Sequence, residues 1–551
     1  MTRSTFRSAF DDVEIPPSDL PTYFLAGLRS QRQFARSNSP RPLFLDGSGE
    51  SLTLAQFEQL ARTLASGLHH HVGVRAGDAV LVALPNSTHY LAVTTAVLLA
   101  GGVCSLANPL YTASELAHQL AHSRCRFVIT SAATLPNVQR ALVGCPTAVP
   151  LHNVLCVNLR APDGVRSVFD VLCQRPFPQL RLEDHKAMRR TPAFICYSGG
   201  TTGLPKGVVL SHYNIVANIQ QGRHVQAMMS AGGGRARTTL AVLPMFHSFG
   251  LVLTAHSLPL CGSALLVMPK FDLAGFLRLV ETHRVTDTLL VPPIINMLAK
   301  TPLLLEKHDL SSLRWIVSGA APLSARTAAA LEERLPHVRV MQGYGLTETS
   351  PGLALNTPML CKAGSSGPLL PSVEAKVIDA RGRCLGPDET GELCFRGPNI
   401  MLGYLDNPEE TTRCIDPDGF FHTGDIGFID GRGFVHVTDR IKELIKFNGF
   451  QVAPAELEGI LTQHARVKDC AVVGVFDEER QTELPRAYIV LDGRVDEALE
   501  DLEAAAKHVR EWVDAQVVYY KRLRGGCFVV EAIPRSAAGK ILRRKLRDII
   551  V

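Results

Sequence analysis

Short apolar runs recur along the chain up to about Ser372, and stretches with helical spacing lie between most of them. Ala79-Val80-Leu81-Val82-Ala83-Leu84 is the clearest run. Closed by Pro85-Asn86-Ser87, it reads as a buried strand. Further strands are expected at Phe127–Ile129, Val154–Val157, Ala193–Tyr197, Leu240–Leu243, Ala264–Val267, Thr288–Val291, Trp315–Val317 and Val338–Met341. Phe57, Leu60, Ala61 and Leu64 share one helix face, and Ala325–Leu335 follows the capping residue Ser324. This alternation predicts an α/β fold: a large N-terminal domain of mostly parallel sheets covered by helices.

The pattern changes twice afterwards. From about Ser372 glycines and turn residues crowd together, and the short strands Glu374–Ile378, Gly391–Arg396 and Phe434–Thr438 predict a small β-rich unit over about 372–438. After Asp439 a small α+β domain is expected over residues 440–551. It has a helix after Pro454, strands at Cys470–Val475 and Ala487–Leu491, a helix over Leu499–Val513, a strand at Cys527–Glu531 and a basic terminal helix. The N-terminal domain accordingly spans 1–439. Its first ~50 residues, Pro-rich with scattered arginines, read as a surface wrap. Tyr90–Ser114 and Ser248–Pro269 are long and uncharged. Gly101, Gly102, Asn108 and Pro109 in the first, and His256, Pro259 and Gly262 in the second, make them buried α/β segments rather than membrane spans.

Composition narrows the class. The 551 residues are 46% hydrophobic and 20% charged, as in a globular enzyme of more than one domain. A formal charge of +5 is small for this length and makes no case for nucleic acid or a membrane surface as partner. Thirteen cysteines, an odd number with no CxxC pair, fit reduced thiols better than a disulfide framework or zinc site. The N-terminus leads into no apolar signal core and the C-terminus is not Ser-Lys-Leu, so a cytoplasmic location is expected.

The stretch richest in chemistry is Tyr197-Ser198-Gly199-Gly200-Thr201-Thr202-Gly203-Leu204-Pro205-Lys206-Gly207. Its glycines let backbone N–H groups converge on an anion; its hydroxyls donate hydrogen bonds and Lys206 adds a cation. It lacks the Gly-Lys-Ser/Thr of the common ATPase loop. Read alone, it suits a polyphosphate or an ordinary glycine-rich turn. Other polar groups follow strands: His247 after Pro244-Met245-Phe246, Gly319 and Ala320 after Ser318, then Gln342-Gly343-Tyr344-Gly345-Leu346-Thr347-Glu348. Open α/β sheets bind ligands at such strand ends. Asp425 is placed in a tight turn, Asp439 to Lys446 in a charged and solvated linker, and Lys540 after a small-residue turn. Arg543, Arg544, Lys545 and Arg547, taken by themselves, describe a solvated helix.

The order of these segments over nearly the whole chain resembles the adenylate-forming superfamily of acyl-CoA synthetases, luciferases and adenylation domains, most of all 4-coumarate–CoA ligases. The resemblance rests on Tyr197–Gly207, Leu243–His247, Gly343–Glu348, Thr423–Asp425, Asp439–Lys446, Gly449–Glu458 and Pro534–Lys540. It implies that a carboxylate and MgATP give an acyl-adenylate and pyrophosphate, and that coenzyme A then gives a thioester and AMP. It further implies a small C-terminal domain that rotates between the steps.

By position, the resemblance assigns Ser198, Gly199, Gly200, Thr201, Thr202, Gly203 and Lys206 to the β- and γ-phosphates. Gln342, Gly343 and Tyr344 would frame adenine, Thr347 would meet the α-phosphate, and Asp425 and Arg440 would hold the ribose. Glu348 would bind Mg2+. His247, Phe249, Leu253, Gly319 and Ala320 would line the acyl pocket. Lys442 would be the hinge, and Lys446, Asn448, Gly449 and Gln451 would belong to the coenzyme A side, Gln451 also to the nucleotide. Lys540 would bridge carboxylate and α-phosphate, with His247, Thr347 and Arg440 assisting.

Four positions depart from the coumarate ligases: Gly199 stands for a serine, Asn448 for a lysine, and Phe249 with Leu253 for a tyrosine and a serine near the phenol ring. A more apolar pocket is therefore expected, suited to a medium-chain fatty acid or an apolar aryl acid rather than 4-hydroxycinnamate. A luciferase-like oxygenase, an enzyme loading a separate carrier protein and, least of all, a non-catalytic binding protein stay open, as does the choice between monomer and homodimer.

Overall fold

Burial on both faces is the reason why the first strands read as unbroken apolar runs: Val80, Leu81, Val82 and Ala83 are all shut away from solvent. The computed structural model describes residues 5–31, 34, 41–143, 145, 149–158, 160, 164–198, 205–230, 236–448, 450–492, 499–536, 539–547 and 549. Ala79–Ala83 lies parallel to Val103–Leu106 and to Phe127–Thr130 at the middle of an eight-stranded sheet. Pro192–Ser198 joins this sheet in parallel, but Lys206–Ser211 folds back antiparallel to it, with Lys206 opposite Ser198. The glycine-rich stretch thus closes a hairpin and does not lead from strand to helix.

A second eight-stranded sheet carries the other polar motifs. Its central strands Ser263–Val267, Arg237–Ala241, Asp287–Leu290, Trp315–Ser318 and Arg339–Gly345 run parallel, with Leu290, Ser318 and Gln342 at one level. Gln342 to Gly345 belong to the last of these strands, where the sequence pattern places a loop. Pairing with the antiparallel edge strand Gly352–Leu355 extends it. The two sheets share one core with the helices Tyr90–Leu99 and His212–Ser230. Every residue of Tyr90–Leu99 is buried, which accounts for its lack of a polar face. Among the described residues no helix is long and apolar enough to cross a membrane.

The N-terminal segment is not the surface wrap expected. Leu20–Ser30 is a helix capped by the Asp19 side chain, and it buries Tyr23, Phe24, Leu25 and Leu28 in the shared core. Phe44–Asp46 pairs parallel with Ser263–Val267, and Phe6–Arg7 pairs with Glu374–Ile378. Flanking prolines and arginines mask a helical spacing at Leu20, Phe24 and Leu28.

The β-rich unit is a five-stranded sheet of Phe6–Arg7, Glu374–Ile378, Gly391–Arg396, Phe421–Ile429 and Val435–Arg440. Two expectations fail here. Asp425 sits inside the strand Phe421–Ile429 rather than in a tight turn, with its register broken between Ile426 and Gly427. Asp439 and Arg440 end the neighbouring strand and are not a solvated linker; Asp439 is buried. Arg440 thus closes the β-rich sheet.

Residues beyond it build their own cores around Ile445, Leu457, Val472, Ile489 and Val509, and around Tyr488 and Leu546. The hairpin Ile445–Phe447 and Phe450–Val452, the helices Pro454–Leu461 and Leu499–Asp514, and a sheet of Val467–Asp477, Thr482–Leu491 and Cys527–Val529 make up this unit. Its terminal helix Arg543–Arg547 is not simply solvated. The Arg543 guanidinium lies 2.9 Å from Glu458 and 3.1 Å from Glu443, almost out of solvent.

The buried N-terminal helix yields a direct test. The Phe24 ring stands 6.1 Å from Phe57 and 4.8 Å from His256. Phe24→Ala leaves a cavity in the shared core and should destabilise the N-terminal unit by about 3–5 kcal/mol. Urea unfolding followed by tryptophan fluorescence and circular dichroism reads this; an unmoved midpoint would return the segment to the surface.

Candidate active site

Strand ends from three sheets meet around a cleft of 520 Å³, lined by Ala320, Gln342, Gly343, Tyr344, Asp425, Arg440 and, from the small unit, Lys540. A narrower pocket of 90 Å³ lies beside it, lined by His247, Phe249, Leu253, Gly319 and Thr347. Ala320, Gly343, Tyr344 and Gly345 line both, so the two spaces adjoin. Most of the described residues that sequence reasoning singled out are therefore gathered at one place.

Asp425 is the floor of the cleft. It is 2% exposed. The Tyr344 hydroxyl donates to its Oδ2 at 2.6 Å, and the Arg440 Nε stands 2.9 Å from Oδ1. That contact is an ion pair out of hydrogen-bond alignment, so Oδ1 accepts no aligned hydrogen bond among the described residues. A vicinal diol would satisfy this buried acceptor. Burial raises the Asp425 carboxyl, against the pull of Arg440. Gln342 is held by donating to the Ser366 hydroxyl at 3.3 Å and accepting from the Leu323 amide at 3.0 Å.

Lys540 leaves the turn Ser536–Lys540, where the Ser536 amide donates to the Lys540 carbonyl at 2.8 Å. Burial and then the charge of Arg440 push its ammonium down to about 8, while Glu443, Asp425 and Glu348 pull the other way. His247 lines the smaller pocket, half-buried, and burial drives its imidazole down to about 4. It is neutral at physiological pH. The Phe249 amide donates to Nδ1 at 3.4 Å, which leaves Nε2 as the protonated nitrogen. The Phe249 ring lies over Gly319: a Cβ there would stand 2.8 Å from the ring, so only glycine fits.

Glu348 sits where the hairpin of the glycine-rich stretch comes near the strand Arg339–Gly345. Its Oε1 accepts from Ser198 Oγ at 3.1 Å and from the Tyr404 hydroxyl at 3.0 Å. Among the described residues no donor reaches Oε2. One hard oxygen left open beside Ser198 and Tyr404 fits a Mg2+ that takes its other ligands from a bound anion and water. Lys206 is ion-paired with Glu410 and lies 4.9 Å above the Tyr404 ring. Gly199, Gly200, Thr201, Thr202 and Gly203 lie outside the described residues, as does Gly449.

Other expected residues stand apart. Lys442 is exposed in the turn 441–443. Lys446 and Gln451 are exposed partners across the small hairpin, and Asn448 closes it at φ +46°. Gln451 lines neither cavity, so its expected contact with the nucleotide is not made in this arrangement. Phe450, stacked on Tyr520 at 4.5 Å, shares this outward face.

Sequence reasoning missed Tyr404 and Glu410, whose signal is too local to separate from an ordinary polar surface. It also missed Arg237 and Asp287, which line the smaller pocket and pair there at 3.2 Å. Their signal was legible: a carboxylate in the run Asp287-Thr288-Leu289-Leu290 must find a cation if the run is a buried strand. The pocket is apolar along Phe249 and Leu253, as expected, but charged where it ends.

Known proteins resemble this chain in sequence and in fold. The chain is 37% identical to the probable 4-coumarate–CoA ligase 1 of Dictyostelium discoideum over 564 residues, 98% of this chain and 97% of that one. It is 37% identical to 4-coumarate–CoA ligase 2 of Solanum tuberosum over 98% of this chain and 96% of that one. The anthranilate CoA ligase AuaEII, solved with anthranoyl-AMP, superposes with a TM-score of 0.81 at 25% identity, covering 95% of this chain and 96% of that one. ATP-bound MatB from Rhodopseudomonas palustris superposes at 0.80 with 27% identity, covering 95% and 98%. The AMP-binding enzyme family matches residues 31–405 and its C-terminal domain matches residues 456–540, and the chain belongs to that family.

Proposed function

We propose that this protein is an AMP-forming carboxylic acid–CoA ligase and that the described arrangement is the one that forms the adenylate. The observation that carries this is the position of Lys540: a half-buried cation from the small unit that lines one cleft with Tyr344, Asp425 and Arg440, next to the smaller apolar pocket. The ribose hydroxyls would meet Asp425 and Arg440, and adenine would lie against Tyr344 and Ala320. Mg2+ held by Glu348 would neutralise phosphate charge. A carboxylate oxygen attacks the α-phosphorus and pyrophosphate leaves. Lys540 and Thr347 would stabilise the charge that grows between carboxylate and phosphate, where a fixed cation is worth most. Neutral His247 would donate from Nε2 and orient the acid without adding charge.

In the second step the coenzyme A sulfur attacks the acyl carbonyl carbon and AMP leaves with the carboxyl oxygen. The hairpin with Lys446 and Asn448 faces outward in this arrangement, so the reading requires the small unit to turn about Lys442 between the steps. Incubation with ATP, Mg2+, coenzyme A and a panel of acids should release AMP and acyl-CoA together. Oxygen uptake in place of acyl-CoA, or transfer only to a carrier protein, would overturn the ligase assignment.

Two predictions separate the steps. The lowered Lys540 ammonium loses its proton as pH rises through about 8, so adenylation kcat/KM should fall on the alkaline side of that pH. Lys540→Arg, which stays charged, should move that limb to higher pH, and Lys540→Ala should lower the adenylation rate about 10²–10³-fold. Pyrophosphate release in single-turnover runs measures both. An alkaline limb identical in wild type and Lys540→Arg would remove Lys540 from the reaction.

The hinge gives the other test. The Lys442 amide donates to no carbonyl among the described residues, so proline at 442 removes no hydrogen bond and restricts only rotation. Lys442→Pro should keep acyl-AMP formation and slow thioester formation at least ~10-fold. Equal losses in both half-reactions would show that no turn about this residue is needed.

A further inference from the structure

We propose that the β-rich sheet binds a borderline divalent cation such as Zn2+ through Cys394 Sγ, His422 Nδ1 and Glu392 Oε2. The site is separate from the one that would hold Mg2+ and does not depend on the ligase reading.

The ligand atoms converge because two strands pair. Gly391–Arg396 and Phe421–Ile429 run antiparallel, with Cys394 directly opposite His422. Glu392 and Cys394 are two residues apart in one strand, so their side chains leave the same face. The register breaks between them: Glu392 faces Ile426, and residues 423–425 stand opposite Leu393 alone. In that bulge the Gly424 amide donates to Glu392 Oε1 at 3.0 Å, which fixes the carboxylate with Oε2 toward His422. The ligands lie on paired strands, with Cys394 and His422 28 residues apart, so no CxxC spacing announces them.

The spacing is that of a tetrahedral ion. His422 Nδ1 stands 3.5 Å from Cys394 Sγ and 3.4 Å from Glu392 Oε2, and the three atoms lie within 4.8 Å of one another. Bonds of about 2.3 Å to sulfur and about 2.0–2.2 Å to nitrogen and oxygen set neighbouring tetrahedral ligands about 3.3–3.6 Å apart. Both contacts of Nδ1 are at that length. Without an ion, the single proton that Nδ1 can carry is all that links it to two neighbours. An ion among them binds all three, and water can take the fourth position because His422 and Glu392 are partly exposed.

The surroundings fit the same reading. His422 Nε2 stands 3.4 Å from Asp416 Oδ2, the arrangement in which a carboxylate orients a ligating imidazole through its other nitrogen. Asp416 is held in turn: the Phe420 amide donates to Oδ1 at 2.9 Å and Lys376 to Oδ2 at 2.5 Å. Lys376 is the cross-strand partner of Cys394, so its charge bears on the site. The charges balance once an ion is bound. Cys394 binds as the thiolate, its proton passing to solvent, and the three anions Cys394, Glu392 and Asp416 meet Lys376 and one dication. Thiolate and imidazole select a borderline cation over Mg2+. Bound there, it ties together two strands of the sheet, one of which also carries Asp425.

Titration of the full chain with Co2+, after stripping with EDTA and with the thiols kept reduced by a phosphine, tests this. A thiolate on Co2+ gives a near-ultraviolet charge-transfer band that a site of oxygen ligands does not. The band should saturate at one Co2+ per chain and disappear on adding Zn2+. Cys394→Ser and His422→Gln should each abolish it, while Cys384→Ser, which changes an exposed thiol outside the cluster, should leave it intact. Circular dichroism checks that each variant is folded; if Cys394→Ser is not, His422→Gln decides. The proposal is overturned if the wild-type chain gives no band, if the band survives either ligand variant, or if it is lost in Cys384→Ser. Adenylation is not the readout, so failure of the ligase reading leaves this result standing.

Discussion

Two cations share one partly dry cleft, and most of the architecture follows from making that tolerable. Lys540 and Arg440 repel each other, and burial adds to the strain on the ammonium. Carboxylates on three elements offset this: Asp425 below, Glu348 at the phosphate side, Glu443 at the turn after the β-rich sheet. None of them makes a close ion pair with Lys540 among the described residues.

The small unit is placed by polar contacts and not by a shared apolar core: Lys300 donates to the Val467 carbonyl and the Ala455 amide to Asp439, both partly out of solvent. Asn296 donates to the Lys468 carbonyl at 3.2 Å and Arg326 to Gln463 at 2.7 Å, both exposed, and the Gly539 turn lies against Val291. Exposed polar contacts of this kind contribute little, and the small unit's apolar cores contain no residue of the large sheets. Within the small unit the ties are much tighter. Arg543 clasps Glu443 and Glu458 out of solvent, so the tail that carries Lys540 is bound to the turn containing Lys442. A rotation there carries the lysine with it as one piece.

Legibility in the sequence tracked how local the cause was. Ala79–Ala83, Trp315–Ser318 and Pro454–Leu461 lie within a residue of their sequence patterns because burial of the run alone decides them. Leu20–Ser30 was missed because Pro16, Pro17 and nearby arginines dominate the local composition, while the burial that makes the helix comes from distant partners. Gln342 to Gly345 read as a loop for the same reason: their strand pairing is with Gly352–Leu355, across a turn no propensity announces. At the site, residues in contiguous motifs were found and partners from elsewhere were not. Tyr404, Glu410 and Ser366 hold motif residues in place without belonging to any motif.

The strands of the second sheet carry polar side chains at both ends. His247, Gly319 and Thr347 stand at or beyond C-terminal strand ends, where backbone geometry and the cleft fix what each can do. Arg237 stands at the opposite end of the strand that leads toward His247, about 10 Å away, and Asp287 opens the strand paired beside it. Leu289 lies between them and the cleft along the pocket wall. Substituting Phe249 without regard to Gly319 would fail, because ring and glycine fit as one contact. The buried pair is likewise one contact, since removing either member alone would strand a charge.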